Sequence, residues 1–198
     1  MNPSAIVLDL DYTIWPFDCN KDVVAPFTMC QDGNIRDRCG RLANPYPDVP
    51  GIIAHIVDKG IPIIFASRNR SRGSIEALLR TIPIKCQDEN INTIWDALML
   101  PTQLHAYSSD GIGRGKDKHF SAIHKDTLIN FNRMIFYDDL PENIAAAKVQ
   151  GTTSILVTQG LTWKKFSEGI VEWRSRKMHA LTLYDIAQAS MELENIPV

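Results

Sequence analysis

Two aspartates near the start of the chain, Asp9 and Asp11, have the spacing of a pair that acts on one substrate. They close a short apolar run, and alternate side chains of an extended segment point to the same side. A carboxylate can attack phosphorus and form an aspartyl-phosphate, which divides one difficult displacement into two easier steps. A second carboxyl group can protonate the leaving oxygen and then deprotonate water. The pair therefore predicts Asp9 as nucleophile and Asp11 as general acid/base, with the nearby Thr13 assigned to loop and substrate binding.

Further polar residues that suit the same chemistry follow other apolar runs or a glycine-rich turn: Ser67 and Arg68, Lys116, and the pair Asp138 and Asp139. Ser67 and Lys116 are suited to bind the oxygens of a transferring phosphoryl group, where negative charge must be stabilised. The planar guanidinium of Arg68 matches phosphate or carboxylate, so Arg68 is expected to contact an anionic leaving group. We therefore assign all three to substrate binding.

The number of carboxylates predicts a bound cation, because clustered carboxylates repel one another unless a cation intervenes. Mg²⁺ takes oxygen ligands and is commonly held by one or two carboxylates together with a phosphate oxygen. The expected ligands are Asp9, the backbone carbonyl of Asp11, and Asp138. Asp139 would support the site, either through a water molecule or by fixing Lys116.

The elements that must position these residues are visible as alternating patterns. Short apolar runs that are typical of strands buried on both faces span residues 5–10, 61–66, 134–137 and 153–158. Helical spacing of apolar residues lies at 49–59, 74–80, 120–130 and 141–149. This alternation predicts an α/β fold, a three-layer, doubly wound, Rossmann-like parallel sheet. Ligands bind such sheets at the carboxyl ends of the strands, where the polar residues lie.

The remaining segments are expected to be additions to one domain that spans residues 1–198. Residues 18–47 contain the turn signals of a short β-hairpin, and residues 91–100 have the composition of a helix before an exit loop. A terminal helix is expected at 180–194.

Composition limits the class of protein. The 198 residues carry a net charge of −2, which argues against a strongly basic nucleic-acid surface. No apolar run approaches the roughly 20 residues that cross a bilayer, and the start of the chain lacks the pattern of a signal peptide. The 4 cysteines include no CxxC pair, which favours reduced thiols and a cytoplasmic location. The expected partner is a phosphorylated small molecule or phosphoprotein, with no nucleic acid and no membrane, and the oligomeric state is left open.

The chemistry-bearing segments resemble a known family. DLDYT (9–13), the strand end at Ser67, Lys116 and the paired aspartates at 138–139 resemble the motifs of the haloacid dehalogenase superfamily. FASRN (65–69), FYDDLPENI (136–144) and GLTWKKFSEGI (160–170) further resemble the eukaryotic magnesium-dependent phosphatases, over about residues 4–173. The resemblance implies a core without a large cap domain and with a β-hairpin flap near 28–45. It also implies the same catalytic, phosphate-binding and magnesium-binding residues, acting on phosphotyrosine-type or phosphosugar substrates.

The sequence departs from the family pattern at several points. Residues 88–115 do not match it, and residues after about 173 lie beyond it and are expected to form a C-terminal helical extension at 174–198. Asn69 stands where the family usually has threonine, and Lys118 competes with Lys116 for the motif lysine, although the spacing to His119 and Phe120 favours Lys116. Arg70 and Arg72 could contact a polyanionic leaving group together with Arg68, and the alternative is that they lie in a solvated loop.

Alternative functions also remain open. Taken alone, the first aspartate pair fits a solvated turn, and Asp138 with Asp139 fits a helix cap. A phosphotransferase would use the same aspartyl-phosphate, but it would need a closing cap that the sequence does not supply. A catalytically idle binding protein with this fold would not require Asp11. The clusters together therefore favour a Mg²⁺-dependent phosphatase.

Overall fold

The computed structural model describes residues 2–106 and 116–194, so the glycine-rich turn at 111–115 lies outside the described residues. In chain order the elements are β1 (Ala5–Leu8), β2 (Thr28–Met29), β3 (Ile35–Arg36), α1 (Val49–Asp58), β4 (Ile63–Ser67), α2 (Arg72–Leu79), β5 (Leu104–Ala106), α3 (Asp117–Thr127), β6 (Met134–Asp138), α4 (Pro141–Val149), β7 (Thr153–Leu156) and α5 (Trp163–Glu194). Short 3₁₀ helices at Pro101–Gln103 and Phe131–Arg133 precede β5 and β6.

The main sheet has five parallel strands in the order β5-β4-β1-β6-β7. Leu8 of β1 pairs with Phe65 of β4 on one side and with Tyr137 of β6 on the other, so these three strands end next to one another. The chain places β4 and β5 on one side of β1 and returns to place β6 and β7 on the other. This reversal creates a topological switch point, where ligands bind in open α/β sheets.

Side chains of the central strand alternate between two separate cores. Ile6 and Leu8 belong to a cluster that includes residues of α1, α2 and α5. Ala5 and Val7 belong to a second cluster with residues of α3 and α4. Burial of each large aliphatic side chain contributes roughly 1.5–3 kcal/mol, which explains why strands covered on both faces are continuous apolar runs. The predicted three-layer α/β architecture is confirmed.

The helix ends follow from local chemistry. Both α1 and α4 have proline in the first turn, where a missing N–H removes no intrahelical hydrogen bond. α3 ends where Leu128 adopts a left-handed conformation with φ 57°, so it stops before residue 130, the predicted end.

The predicted β-hairpin in residues 28–45 is present as the antiparallel pair of β2 and β3, in which Thr28 pairs with Arg36. Its base is organised by Asp37, a buried carboxylate that accepts hydrogen bonds from the backbone of Val24, Cys39 and Arg41. The Arg41 guanidinium lies 2.7 Å from the same carboxylate. The small hairpin is therefore held in place at its base by one buried carboxylate, that of Asp37.

The predicted helix at 91–100 is wrong. Residues 94–97 form a turn, and one oxygen of Asp96 accepts hydrogen bonds from the N–H groups of Asn92 and Thr93. The backbone N–H of Ile94 bonds to Ile82 instead of to a preceding turn. Local side-chain bonds thus replace the helical ladder, as Asp, Asn and Thr often do.

The terminal helix begins much earlier than predicted, because α5 runs without interruption from Trp163 to Glu194. Residues 174 and 180 are therefore positions inside one helix. Over the described residues, no helix has both the length and the apolar character of a membrane span.

Candidate active site

The loop after β1 turns tightly and presents Asp9 and Asp11 to one cavity. The Asp9 N–H donates to the carbonyl of Tyr137, which continues the β1–β6 pairing to the start of the loop. The N–H groups of Thr13 and Ile14 both donate to the Leu10 carbonyl, which closes the turn. Both aspartates line a cavity of about 650 Å³ at the switch point of the sheet.

Lys116, immediately before α3, joins the ends of β1 and β6. Its side chain is only 1% exposed, and its ammonium group contacts Asp9 and lies 2.7 Å from Oδ2 of Asp138. The alternative motif residue, Lys118, is exposed on α3. The structure therefore brings Lys116 into the predicted cluster.

Asp138 is fixed by groups that follow it. Its Oδ1 accepts hydrogen bonds from the Leu140 N–H at 2.8 Å and from Nδ2 of Asn143 at 2.9 Å. Asn143 also lines the cavity, and the sequence analysis did not single it out. The available signal was its position in the first turn of a helix that starts directly after the aspartate pair.

Burial controls the charges of this cluster. Burial, with added repulsion from Asp138, raises the pKa of Asp9 to about 8, although Lys116 pulls it down. Burial and the neighbouring Asp138 raise the pKa of Asp139 to about 6. Burial alone would lower the pKa of Lys116, but Asp9 and Asp138 raise it, so the lysine is held as a cation. The cluster thus holds more carboxylates than one ammonium group can neutralise.

The donor set fits a divalent cation. One oxygen from each of Asp9, Asp138 and Asp139 lies within 4.8 Å of the others. Hard oxygen donors of this kind suit Mg²⁺. The side-chain cluster contains two of the three predicted ligand residues and adds Asp139, which the sequence analysis placed in a supporting role. Asp11, expected to contribute its backbone carbonyl, lines the same cavity.

The Asp11 carboxylate is held by three donors. Its Oδ1 accepts hydrogen bonds from Trp15 Nε1 at 2.7 Å and from the Cys19 N–H at 3.0 Å. Its Oδ2 accepts one from Asn69 Nδ2 at 2.6 Å. Burial raises the pKa of Asp11, although these hydrogen bonds lower it.

Ser67 and Arg68 reach the cavity from the end of β4. The Ser67 hydroxyl oxygen accepts the Asn69 N–H at 3.1 Å, which leaves its own proton available to a ligand. Within the described part of the chain, the exposed Arg68 guanidinium makes no hydrogen bond or ion pair. His119, one turn into α3, bonds through Nε2 to the Ser67 carbonyl at 2.9 Å and so links α3 to the end of β4.

Some residues highlighted by the sequence lie elsewhere. The Thr13 side chain is fully buried outside the cavity lining, and its hydroxyl has no hydrogen-bond partner in the described ranges. Arg72 donates to the Leu104 carbonyl at 2.6 Å and so fastens the edge strand β5 instead of standing in a solvated loop.

The fold and the site together define a class: α/β phosphatases of the haloacid dehalogenase type, in which carboxylates and one lysine meet at the switch point of the sheet. The chain belongs to the Acid Phosphatase family, whose family model matches residues 1–176. The phosphatase class and the fold predicted from the sequence are thereby confirmed.

Individual relatives agree with this assignment. The chain is 30% identical over 168 residues to the human protein named Magnesium-dependent phosphatase 1, with 85% of each chain covered. It is 27% identical over 143 residues to a HAD-like hydrolase superfamily protein of Schizosaccharomyces pombe, covering 71% of this chain and 78% of the relative. A HAD family enzyme from Bacteroides thetaiotaomicron, solved with magnesium and inorganic phosphate, has a TM-score of 0.53 at 13% identity and covers 82% of this chain and 98% of that one. The last similarity shows the fold.

Proposed function

We propose that this Mg²⁺-dependent phosphatase hydrolyses phosphate monoesters through an aspartyl-phosphate on Asp9. The observation that carries the proposal is the buried Lys116, which is held between Asp9 and Asp138 at the ends of neighbouring strands. A buried lysine between two carboxylates can fix the nucleophile and also offer a positive charge to a phosphoryl oxygen. Asp9, Asp138 and Asp139 would hold the magnesium ion with the Asp11 carbonyl.

The first step forms a bond between an Asp9 carboxylate oxygen and phosphorus, and it breaks the bond between phosphorus and the leaving oxygen. Asp11 gives its proton to that oxygen. Ser67 and Lys116 bind the phosphoryl oxygens during the transfer. Magnesium, when bound, neutralises charge on the carboxylates and on the phosphoryl group.

The second step releases phosphate. Asp11, now a carboxylate, takes a proton from water while the water oxygen attacks phosphorus, and the bond to Asp9 breaks. The cavity is bordered by short loops and the start of α4, and no cap domain covers it within residues 2–106 and 116–194. Open access for water favours hydrolysis over transfer to a second acceptor.

The proposed substrates are phosphotyrosine-type or phosphosugar monoesters. The cavity volume of about 650 Å³ exceeds what a phosphate group needs, so it leaves room for a leaving group. The exposed Arg68 guanidinium on its wall suits a leaving group that carries a carboxylate or a second phosphate.

The testing experiment measures phosphate release from p-nitrophenyl phosphate with Mg²⁺ and with EDTA, for wild type, Asp9→Asn and a control, Asp58→Asn, at the far end of α1. We expect turnover that EDTA and Asp9→Asn abolish and that the control retains.

A second experiment traps the intermediate. Borohydride reduction during turnover should convert the aspartyl-phosphate at position 9 to homoserine, which mass spectrometry detects. Turnover by a folded Asp9→Asn protein would refute the nucleophile. Phosphorylated product from an added alcohol would instead indicate a phosphotransferase.

A further inference from the structure

Asn69 connects the Asp11 carboxylate, on the loop after β1, to the loop after β4. Its Nδ2 lies 2.6 Å from Oδ2 of Asp11 and 3.2 Å from Oδ1 of Asp18. The two aspartates lie on the loop after β1, whereas Asn69 lies on the loop after β4. The contact therefore joins two of the loops that border the cavity.

The orientation of the Asn69 amide is fixed by a third contact. The Ser71 N–H donates to Oδ1 of Asn69 at 2.9 Å, so the amide oxygen faces the backbone and the amide nitrogen faces the carboxylates. The NH₂ group has two protons, and each has an aspartate acceptor. A threonine hydroxyl at this position has only one proton to donate.

The donors around Asp11 restrict where its acid proton can lie. A carboxylate has about four acceptor positions, two on each oxygen. Trp15 and Cys19 occupy both positions on Oδ1, and Asn69 occupies one on Oδ2. One position on Oδ2 remains.

We infer that Asn69 is a positioning residue for Asp11, because it fixes Oδ2 as the oxygen through which Asp11 gives and takes a proton. The inference rests on the proposed general acid/base role of Asp11. Loss of the amide frees Oδ2 to rotate away from the leaving oxygen while Asp9, Lys116 and the metal ligands stay in place.

A purely structural role predicts a different result. Asn69 also ties Asp18 to the loop after β4, and Ser71 adds a bond to Asn20. Loosening these loops would slow the reaction of every substrate alike. Misplacing the acid slows only those substrates whose leaving oxygen needs a proton.

The experiment compares kcat/KM for p-nitrophenyl phosphate, whose leaving group departs readily as an anion, with kcat/KM for glycerol 2-phosphate, whose alkoxide needs protonation. This parameter covers the steps through the first transfer. The variants are Asn69→Ala, Asn69→Leu, Asn69→Thr and Asp11→Asn, with Asn90→Ala as a remote surface control of the same kind. Thermal unfolding checks that each variant folds.

We expect Asn69→Ala to lower kcat/KM about 10-fold for glycerol 2-phosphate and less than about 2-fold for p-nitrophenyl phosphate. The larger effect is a fraction of the roughly 10²–10⁴-fold rate acceleration that a general acid contributes. Asn69→Leu keeps about the same size without donor protons or a new charge and should show the same selectivity, even if the alanine variant does not fold. Asn69→Thr should recover part of the loss, because one donor returns.

The outcomes separate the inference from the proposed function. Equal losses on both substrates, or no loss, in the Asn69 variants would overturn the inference if Asp11→Asn remains selective for glycerol 2-phosphate. An unselective Asp11→Asn variant would overturn the acid role of Asp11 and the inference together.

Discussion

Lys116 and the carboxylates around it show how burial sets the properties of single residues in this site. An ammonium group that is 1% exposed would ordinarily lose its proton readily, but Asp9 and Asp138 raise its pKa. Asp138 in turn is held by the Leu140 N–H and by Asn143. Each charge therefore depends on a defined partner, and removal of one partner has a local, measurable effect.

Asp138→Asn should raise the Mg²⁺ concentration needed for half-maximal activity by about 10-fold or more. Mutation of groups that only hydrogen-bond to a metal ligand already lowers metal affinity by about 10–100-fold. The amide keeps the size of the side chain but removes a negative ligand. Magnesium titrations of p-nitrophenyl phosphate turnover measure the effect, with Asp58→Asn as the control. An unchanged magnesium requirement would contradict the proposed ligand role of Asp138.

Arg68→Ala should raise KM for a monoester with an anionic leaving group by about 10-fold or more, because a charge-assisted hydrogen bond contributes roughly 1.5–3 kcal/mol. Turnover of p-nitrophenyl phosphate, which lacks that second anionic group, should change little. Arg80→Ala, at the opposite end of α2, is the control. Equal effects of Arg68→Ala on both substrates would refute recognition of the leaving group by this residue.

The residues that the sequence predicted are those that local motifs carry. Asp9, Ser67 and Asp138 each follow an apolar run, so their position at a strand end could be inferred without knowing the strand order. The bond between Asn69 and Asp11 joins residues 58 positions apart, and it depends on β4 lying next to β1. Pairing of that kind has no local signal.

At the scale of elements, the close approach of α5 to the sheet depends on Gly169. A Cβ atom at this position would overlap the Tyr137 hydroxyl and crowd Ile135. That hydroxyl donates to the Phe166 carbonyl at 2.8 Å, one turn earlier in α5. The glycine therefore allows helix and strand to share a hydrogen bond.

Gly169→Ala should lower the free energy of unfolding by about 1–3 kcal/mol, the usual cost of overpacking a core. Gly73→Ala is the matched control, because a Cβ on that helical residue of α2 meets nothing within 4 Å. Alanine there should be neutral or stabilising by up to about 1 kcal/mol, since it favours the helix. Urea unfolding of both variants measures the difference. Equal stabilities would show that α5 can move away from β6 at little cost.

Elements were predicted from sequence where periodicity was long and uninterrupted. The strands β1, β4, β6 and β7 were predicted because both faces are buried. β5 was missed because it has only three residues and follows a proline-containing turn. Its place at the sheet edge follows from parallel pairing with β4, to which the Arg72 bond to Leu104 is added, and both join distant positions.

At the scale of the whole molecule, α5 packs with α1 and α2 on the side of the sheet opposite α3 and α4. Trp173 is 4% exposed, and its Nε1 donates to the Asn132 carbonyl at 3.1 Å. Arg176 bonds to the Thr153 hydroxyl at 3.0 Å and to the Gly151 carbonyl at 3.2 Å. These contacts tie the helix to the turn before β6 and to the start of β7. Beyond them, Met178 is 57% exposed and Leu183 is 55% exposed.

Two truncated chains should therefore differ sharply. A chain of residues 1–178 keeps Trp173 and Arg176. Its free energy of unfolding should therefore match that of the full chain within about 0.5 kcal/mol, the usual range for surface changes. Its kcat should be unchanged. A chain of residues 1–172 loses a buried tryptophan, which should cost about 3–5 kcal/mol. Urea unfolding and p-nitrophenyl phosphate turnover measure both properties. A large loss of stability already in the longer chain would show that residues 179–198 pack on the body, and the stabilising part of α5 would then extend past Arg176.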